Sequence, residues 1–145
     1  MVEEYNLVNY FEAMDNALTI CEKHKEEGNK LLKEFNFDKA IDSYSAAIDE
    51  AKKAEDFPTQ KLAIYFANRA FAHIKNENYG LGKTDAEESV TLNPTYEKAY
   101  LRLGFLNELL QHYKESYNAY KKVESLTIFR PLSCPEIKTK KPIKD

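Results

Sequence analysis

Apolar residues recur every three or four positions along most of the chain, which is the spacing of one face of an α-helix. The pattern is clearest at Phe37, Ala40, Ile41, Tyr44, Ala47 and Ile48. Pro58 and Pro94 interrupt it and mark connections between helices. The sequence therefore predicts an all-α fold without strands. The six expected helices lie near 18–35, 37–54, 60–76, 79–91, 95–110 and 113–126.

The helices are related in pairs by a repeat along the sequence. Ala70 and Gly104 lie 34 residues apart at matching positions, and a 34-residue period of helix-turn-helix units is the signature of tetratricopeptide repeats. Residues 18–128 are interpreted as three such units. Gly28 precedes Ala70 by 42 residues, so an insertion of eight residues is expected around 52–60. Stacked units bury one another's apolar faces and form a right-handed superhelical array with a concave groove.

The two ends of the chain have different patterns. Residues 1–17 are expected to form a lead-in helix or an extension of the first repeat, and 129–145 an irregular basic tail with three prolines. No polar capping helix is readable after the third unit. The last helix is therefore expected either to expose Tyr117 and exchange its backbone amide hydrogens early, or to self-associate weakly through its outer face. The positions expected to be buried are Ala40, Tyr44, Ala70, Ala86, Leu103, Gly104 and Tyr120.

Composition and charge exclude several classes of function. The net charge of −3 is small and mixed in sign, which argues against a nucleic-acid partner. No apolar run approaches the roughly 18 residues that span a bilayer, and the acidic start lacks the order of a signal peptide. Cys21 and Cys134 have no spaced partners, so neither a disulfide framework nor a zinc site is expected. These features favour a cytoplasmic or nuclear protein without a membrane partner.

No catalytic, metal or cofactor site can be defended from the sequence. Gly82, Lys83 and Thr84 look like the end of a phosphate-binding loop, but that motif needs glycine where Glu77 stands and a preceding strand. The three histidines are isolated and lack metal-ligand spacing. The chain is therefore expected not to be an enzyme.

Polar residues on the first helix of each unit share one face. Lys25 and Asn29 are four residues apart in the first unit, and Lys98 and Arg102 repeat that spacing in the third. Asn68 in the second unit lies 34 residues before Arg102. Stacking would bring all five to the inner wall, where their donors suit carboxylates. The competing interpretation is that they are solvated helix-face residues.

The segments KEEGN, NRA and KAYLR, which carry these residues, resemble the carboxylate clamp of tetratricopeptide co-chaperones. Members of that family bind the free C-terminus of the ninety- or seventy-kilodalton heat-shock chaperones, which ends in Glu-Glu-Val-Asp. The resemblance implies that the five residues hold the terminal carboxylate and the last Asp side chain. It implies a co-chaperone or the targeting domain of a phosphatase. The alternative is a general repeat scaffold that binds an internal peptide or helix of another partner.

Three further residues are assigned to the same groove. The segments NRAFAHIKNENYG and TDAEESVTLNP are most similar to the N-terminal domain of the protein phosphatase five family. That family tends to place another basic groove residue at the position of Lys75. Phe71 and Phe105 lie three residues beyond Asn68 and Arg102. They are expected to form an apolar floor for the valine of the ligand.

Overall fold

A computed structural model describes residues 2–128 of the chain, with side chains from residue 6 onward. The described residues form six helices and no strand. The helices are α1 Val2–Lys33, α2 Phe37–Lys53, α3 Thr59–Lys75, α4 Tyr79–Leu92, α5 Glu97–Leu109 and α6 Tyr113–Ile128. Helices α2 to α6 match the predicted spans within two residues. The structure corrects the start of α1, because the lead-in continues into the first repeat helix; the tail lies outside the described residues.

The six helices pack as three antiparallel pairs, α1 with α2, α3 with α4 and α5 with α6. Helix α2 packs on α3 and α4 packs on α5, so that the pairs form a single stack. Helix α3 also contacts α5 directly. The first helices of the second and third pairs are therefore neighbours along one side of the stack. None of the described helices combines the length and apolar character that a membrane span requires.

The turn inside each pair has the same backbone conformation. Phe35, Glu77 and Gln111 are in the left-handed region, with φ of 59°, 61° and 62°, and they are spaced by the same 42 and 34 residues as the repeats. The N–H of the following residue donates to the carbonyl five residues earlier at 2.9, 2.9 and 2.7 Å. This is the Schellman closure of a helix end. The repeat thus fixes a turn geometry even where no glycine is present.

The eight-residue insertion lies where the sequence predicts it. Helix α2 has 17 residues and α4 has 14. The connection between α2 and α3 is one residue longer than the connection between α4 and α5. The part of α3 before Ala70 is four residues longer than the matching part of α5 before Gly104. Phe57 in this connection is 8% exposed and packs in a cluster with Cys21, Ile48 and Tyr65. The insertion therefore supplies an additional core side chain between the first and second pairs.

Five of the seven positions expected to be buried are buried. They are Ala40, Tyr44, Ala70, Ala86 and Gly104. Leu103 is only half-buried, and the prediction for Tyr120 is wrong because its side chain is 36% exposed. Tyr120 lies on α6, and no seventh helix among the described residues covers that helix. Its ring packs against Gly104 of α5 but keeps its other side open.

A partly buried ion pair within the second pair is also hydrogen-bonded to the first pair. Arg69 of α3 donates from Nε and Nη2 to the two carboxylate oxygens of Asp85 on α4, both at 2.7 Å. Its Nη1 donates to Ser45 Oγ of α2 at 3.1 Å. His73 Nε2 lies 3.6 Å from Asp85 Oδ2. Three helices thus share one guanidinium, which fixes how α3 is rotated and which of its faces is left open.

Candidate functional site

The open face of α3 and α5 forms a groove of about 480 Å³. Five of the eight site residues predicted from the sequence line it. The groove-lining residues are Phe71, Ile74, Lys75, Lys98, Leu101, Arg102 and Phe105. Both phenylalanines are only partly buried, and Phe105 is 43% exposed. The groove therefore combines an apolar floor with three cationic side chains.

Arg102 of α5 reaches across the groove to α3. Its Nη1 donates to Asn68 Oδ1 at 3.4 Å, and its guanidinium carbon lies 5.2 Å from the centre of the Phe71 ring. Lys75 Nζ lies 5.3 Å from the same ring centre. Cations at this distance from an aromatic ring are attracted by its electron-rich face. Asn68, Phe71 and Lys75 on α3 and Arg102 on α5 thus form one cluster.

Burial lowers the pKa of Arg102, while the nearby Tyr96 and Tyr44 act in the opposite direction. An arginine side chain nevertheless remains protonated in proteins. No carboxylate among the described residues forms an ion pair with Lys75, Lys98 or Arg102. As far as the described part of the chain goes, the groove therefore offers uncompensated positive charge beside apolar surface, which suits an anionic ligand with apolar side chains.

Asn29 is hydrogen-bonded to Tyr44, which interacts electrostatically with Arg102 of this cluster. The fully buried Tyr44 of α2 donates its hydroxyl to Asn29 Oδ1 at 2.5 Å. Burial raises the pKa of Tyr44 to about 12, although the positive charge of Arg102 opposes the shift. The hydroxyl therefore remains a donor at neutral pH. Because Asn29 accepts through its carbonyl oxygen, its amide N–H groups are left to donate to a ligand.

Lys25 has a different environment from the other predicted site residues. Its ammonium lies 2.5 Å from Glu22 Oε2, one helical turn earlier on α1. Its side chain is 23% exposed. The structure places Lys25 one turn before Asn29, as the spacing predicts, but gives it an internal carboxylate partner. Of the other seven predicted residues, four belong to the cluster around Arg102, namely Asn68, Phe71, Lys75 and Arg102 itself. Lys98 and Phe105 line the groove, and Asn29 is hydrogen-bonded to Tyr44.

Several residues at the site escaped sequence reasoning. Ile74 and Leu101 line the groove, and their signal was present, because each lies three residues from a predicted groove residue on the same helix. Glu22 could have been found from its position three residues before Lys25. Arg69, directly after Asn68, does not reach the groove but pairs with buried Asp85. Adjacent residues on a helix point in different directions, so within the NRA segment Asn68 faces Arg102 of the groove while Arg69 contributes to helix packing.

Comparison with known proteins places this geometry in a family, although no family model matches the chain. The chain is 37% identical over 103 residues to small glutamine-rich tetratricopeptide repeat-containing protein 2 of Saccharomyces cerevisiae, which covers 71% of the chain and 28% of that protein. It is 32% identical over 109 residues to human serine/threonine-protein phosphatase 5, covering 75% of the chain and 20% of the phosphatase. The chain thus spans less than a third of either relative.

Solved structures give the same result. The first TPR domain of Spaghetti (RPAP3), bound to HSP90 peptide SRMEEVD, is 30% identical with a TM-score of 0.67. The match covers 77% of this chain and 82% of that domain. This likeness confirms the expected all-α array of three helix pairs, and the similarity to phosphatase 5 confirms the resemblance in the sequence. The chain belongs to the tetratricopeptide repeat family.

Proposed function

We propose that this domain binds the free, acidic C-terminal peptide of a heat-shock chaperone, of the Glu-Glu-Val-Asp type. The observation that carries the proposal is the position of Arg102. Its guanidinium lies between Asn68 and the Phe71 ring, in a groove that also holds Lys75 and Lys98. A carboxylate at this point would meet a planar fork of donors that no protein carboxylate among the described residues occupies.

The remaining groove residues fit the rest of such a peptide. Phe71 and Phe105 present apolar surface next to Arg102, where the valine that precedes the terminal Asp would pack. Lys75 Nζ lies 5.3 Å from the centre of the Phe71 ring and would attract the upstream glutamates. The related Spaghetti (RPAP3) domain was solved with a peptide of this kind, which supports the proposal for this chain.

Typical interaction free energies predict a micromolar dissociation constant for the complex. Each charge-assisted hydrogen bond contributes on the order of 1.5–3 kcal/mol. A few such bonds, less the entropy lost when a flexible peptide is ordered, give about −8 kcal/mol. The proposal assigns the domain a binding role alone, as a co-chaperone or as the targeting domain of a longer enzyme. We also expect the domain to act in the cytoplasm or the nucleus.

Isothermal calorimetry with the free-acid peptide SRMEEVD and groove variants tests this function. Arg102→Ala is expected to lose roughly 1–3 kcal/mol of binding free energy, because it leaves a ligand carboxylate unpaired. Lys98→Ala should weaken binding by a smaller amount, because exposed lysine pairs are screened by water.

Lys39→Ala is the matched control for Lys98→Ala. It removes the same charge from an exposed position on α2, outside the groove, and should bind as the wild type does. Circular dichroism verifies that each variant keeps its helices. Unchanged affinity in a folded Arg102→Ala variant, or an equal loss in Lys39→Ala, would contradict the proposed function.

A further inference from the structure

A second pocket lies where the two departures from the repeat pattern meet, at the lead-in part of α1 and the inserted connection after α2. Its volume is about 370 Å³. The side chains that matter for its chemistry are Tyr10, Ala13, Met14 and Ala17 of α1 and Ala54 and Glu55 of the connection. This pocket shares no lining residue with the groove between α3 and α5. It is therefore a separate feature of the surface.

Contacts on both sides hold the pocket in place. The Tyr10 hydroxyl donates to Asp56 Oδ2 of the inserted connection at 3.1 Å. Met14 and Ala54 pack against the buried cluster that contains Phe57. The lead-in is thus attached to the connection by a hydrogen bond and by apolar packing, and the pocket is part of the folded domain.

The apolar surface continues along α1 beyond the pocket. Leu7 lies three residues before Tyr10 and seven before Met14, which places it on the same side of the helix. Leu7 is 54% exposed, and Phe11, whose ring contacts that of Tyr10, is 59% exposed. From Leu7 to the pocket residue Ile20, this side of α1 is about 20 Å long. Exposed apolar surface of this extent is typical of a protein interaction site.

The charges around this surface are mainly negative. Among the described residues that line the pocket, the one lysine is Lys53, which already pairs with Glu50 at 2.9 Å. Glu55 forms no ion pair within the described part of the chain. Residues 1–17 contain four carboxylates and no lysine, arginine or histidine. The field repels phosphates and anionic lipids, and a second copy that docked its own lead-in here would add like charges.

We propose that this surface, the lead-in cleft formed by the pocket and Leu7, binds an amphipathic helix of a partner protein whose polar face carries lysine or arginine. The length of the cleft matches three to four helical turns, so apolar side chains at helical spacing on one face of the partner would enter it. Flanking cations would meet Glu55 and the field of the lead-in. The described residues contain no strand whose edge an extended peptide would join.

The inference goes beyond the proposed function and does not rest on it. Because the lead-in cleft and the groove have no lining residue in common, both can be occupied in one molecule. The domain would then connect a chaperone tail to a second partner.

Calorimetry on the full chain tests the inference with a helical probe peptide of about 14 residues, the length that spans the cleft. The probe contains lysine, alanine and leucine, with leucine at every third or fourth position, and both of its ends are blocked. It has no carboxylate for the cationic groove. It should bind once per chain with a micromolar dissociation constant that rises with salt. A counterpart with glutamate in place of lysine should not bind.

Two pairs of variants locate the binding site. Leu7→Ser should weaken binding of the probe about three- to tenfold, whereas Leu81→Ser, which changes a leucine 60% exposed on α4, should not. Glu55→Gln should weaken binding about two- to fivefold, whereas Glu88→Gln, at an exposed position of α4, should not. All four variants should bind SRMEEVD with the wild-type affinity, because none of them lines the groove.

The inference is overturned if the probe does not bind, if the glutamate counterpart binds equally well, or if the control variants lose as much affinity as Leu7→Ser and Glu55→Gln. It is also overturned if sedimentation shows a dimer of the chain that Leu7→Ser dissociates, since the occupant is then a second copy. Tighter binding of a peptide of residues 129–145 than of the probe would assign the cleft to the chain's own tail instead. SRMEEVD binding tests the proposed function separately, so either proposal can fail without the other.

Discussion

The ring of Tyr44 lies in the space beside the missing side chain of Gly28. A Cβ added to Gly28 would be 2.6 Å from Cε1 of that ring, so α1 and α2 approach as closely as they do only because position 28 is a glycine. The same tyrosine donates its hydroxyl to Asn29 at 2.5 Å. One side chain thus sets the spacing of the first helix pair and orients a residue of the proposed clamp.

Gly28→Ala should destabilise the domain. The fully buried Tyr44 ring cannot move aside without disturbing its neighbours, and overpacking of this kind costs about 1–3 kcal/mol. The higher helix propensity of alanine recovers at most about 1 kcal/mol. Urea unfolding should therefore show a net loss in the free energy of unfolding.

The chain offers two matched controls for that substitution. Gly80 of α4 has nothing within 4 Å of an added Cβ, so Gly80→Ala should stabilise by up to about 1 kcal/mol. Gly104→Ala meets the Tyr120 ring at 2.7 Å, but that ring is 36% exposed and can turn outward. Its effect should lie between the other two. An equal effect of alanine at all three positions would contradict this account of the packing.

Tyr44→Phe keeps the ring that fills the space beside Gly28 and removes only the hydroxyl. Loss of one hydrogen bond to a side chain lowers stability by about 1 kcal/mol. Asn29 then loses its fixed orientation, so the affinity for SRMEEVD should fall severalfold. Tyr117→Phe is the control, because Tyr117 is 64% exposed on α6; it should change neither quantity. If a folded Tyr44→Phe variant binds SRMEEVD with wild-type affinity, the orientation of Asn29 by Tyr44 does not contribute to peptide binding.

His73 should make the fold sensitive to mild acid. Burial lowers the pKa of His73; the nearby Asp85 raises it and Arg69 lowers it. The unfolded chain, with a histidine pKa of about 6.5, therefore binds this proton more readily than the folded domain. The corresponding stability is complete above that value and is lost as pH falls below it.

The free energy of unfolding, measured in urea from about pH 7.5 to about pH 5.5, should decrease less in His73→Asn than in the wild type. The comparison of slopes is independent of any constant loss that the substitution causes. A wild-type slope in His73→Asn would contradict the assignment.

Helix α6, at the C-terminal end of the described residues, is expected to be the least stable part of the domain. It packs mainly against α5, and its outer face exposes large side chains, with Tyr113 66% and Ile128 71% exposed. Backbone amides after residue 113 should exchange with deuterium earlier than those of α3, or the domain should self-associate through this face. Equal protection of α6 and α3 in a dilute monomer would contradict both alternatives.

Much of this architecture follows from local sequence patterns. The apolar spacing and the 34-residue period together located five helices within two residues. They also identified the groove, because each repeat places its first helix on the same side. Asn68 and Arg102, separated by one period, are in contact at 3.4 Å. Buried alanines at positions 40, 70 and 86 were predictable because closely packed helices need small residues where they meet.

Features that depend on the ends of the array or on paired side chains were not predictable from the same patterns. Tyr120 matches a buried position of the repeat but lies on the last described helix, so no neighbour covers it. The first repeat helix was expected to begin near residue 18, yet α1 begins at Val2; propensity near a helix start is a weak signal. The hydrogen bonds that Glu22 accepts from Lys61 and Tyr65, about forty residues away, form only because the first and second helix pairs pack together.

The central claim is that this groove recognises a free carboxylate at the end of an acidic peptide. Calorimetric titration with SRMEEVD and with its C-terminal amide tests it most directly, because the two ligands differ in that group alone. The free acid should bind with micromolar affinity, more weakly as salt is raised. The amide should lose roughly 1–3 kcal/mol, since it removes a charge that Arg102 and its neighbours would hold. An amide that binds as tightly as the acid would contradict the claim and favour a scaffold that binds internal peptides.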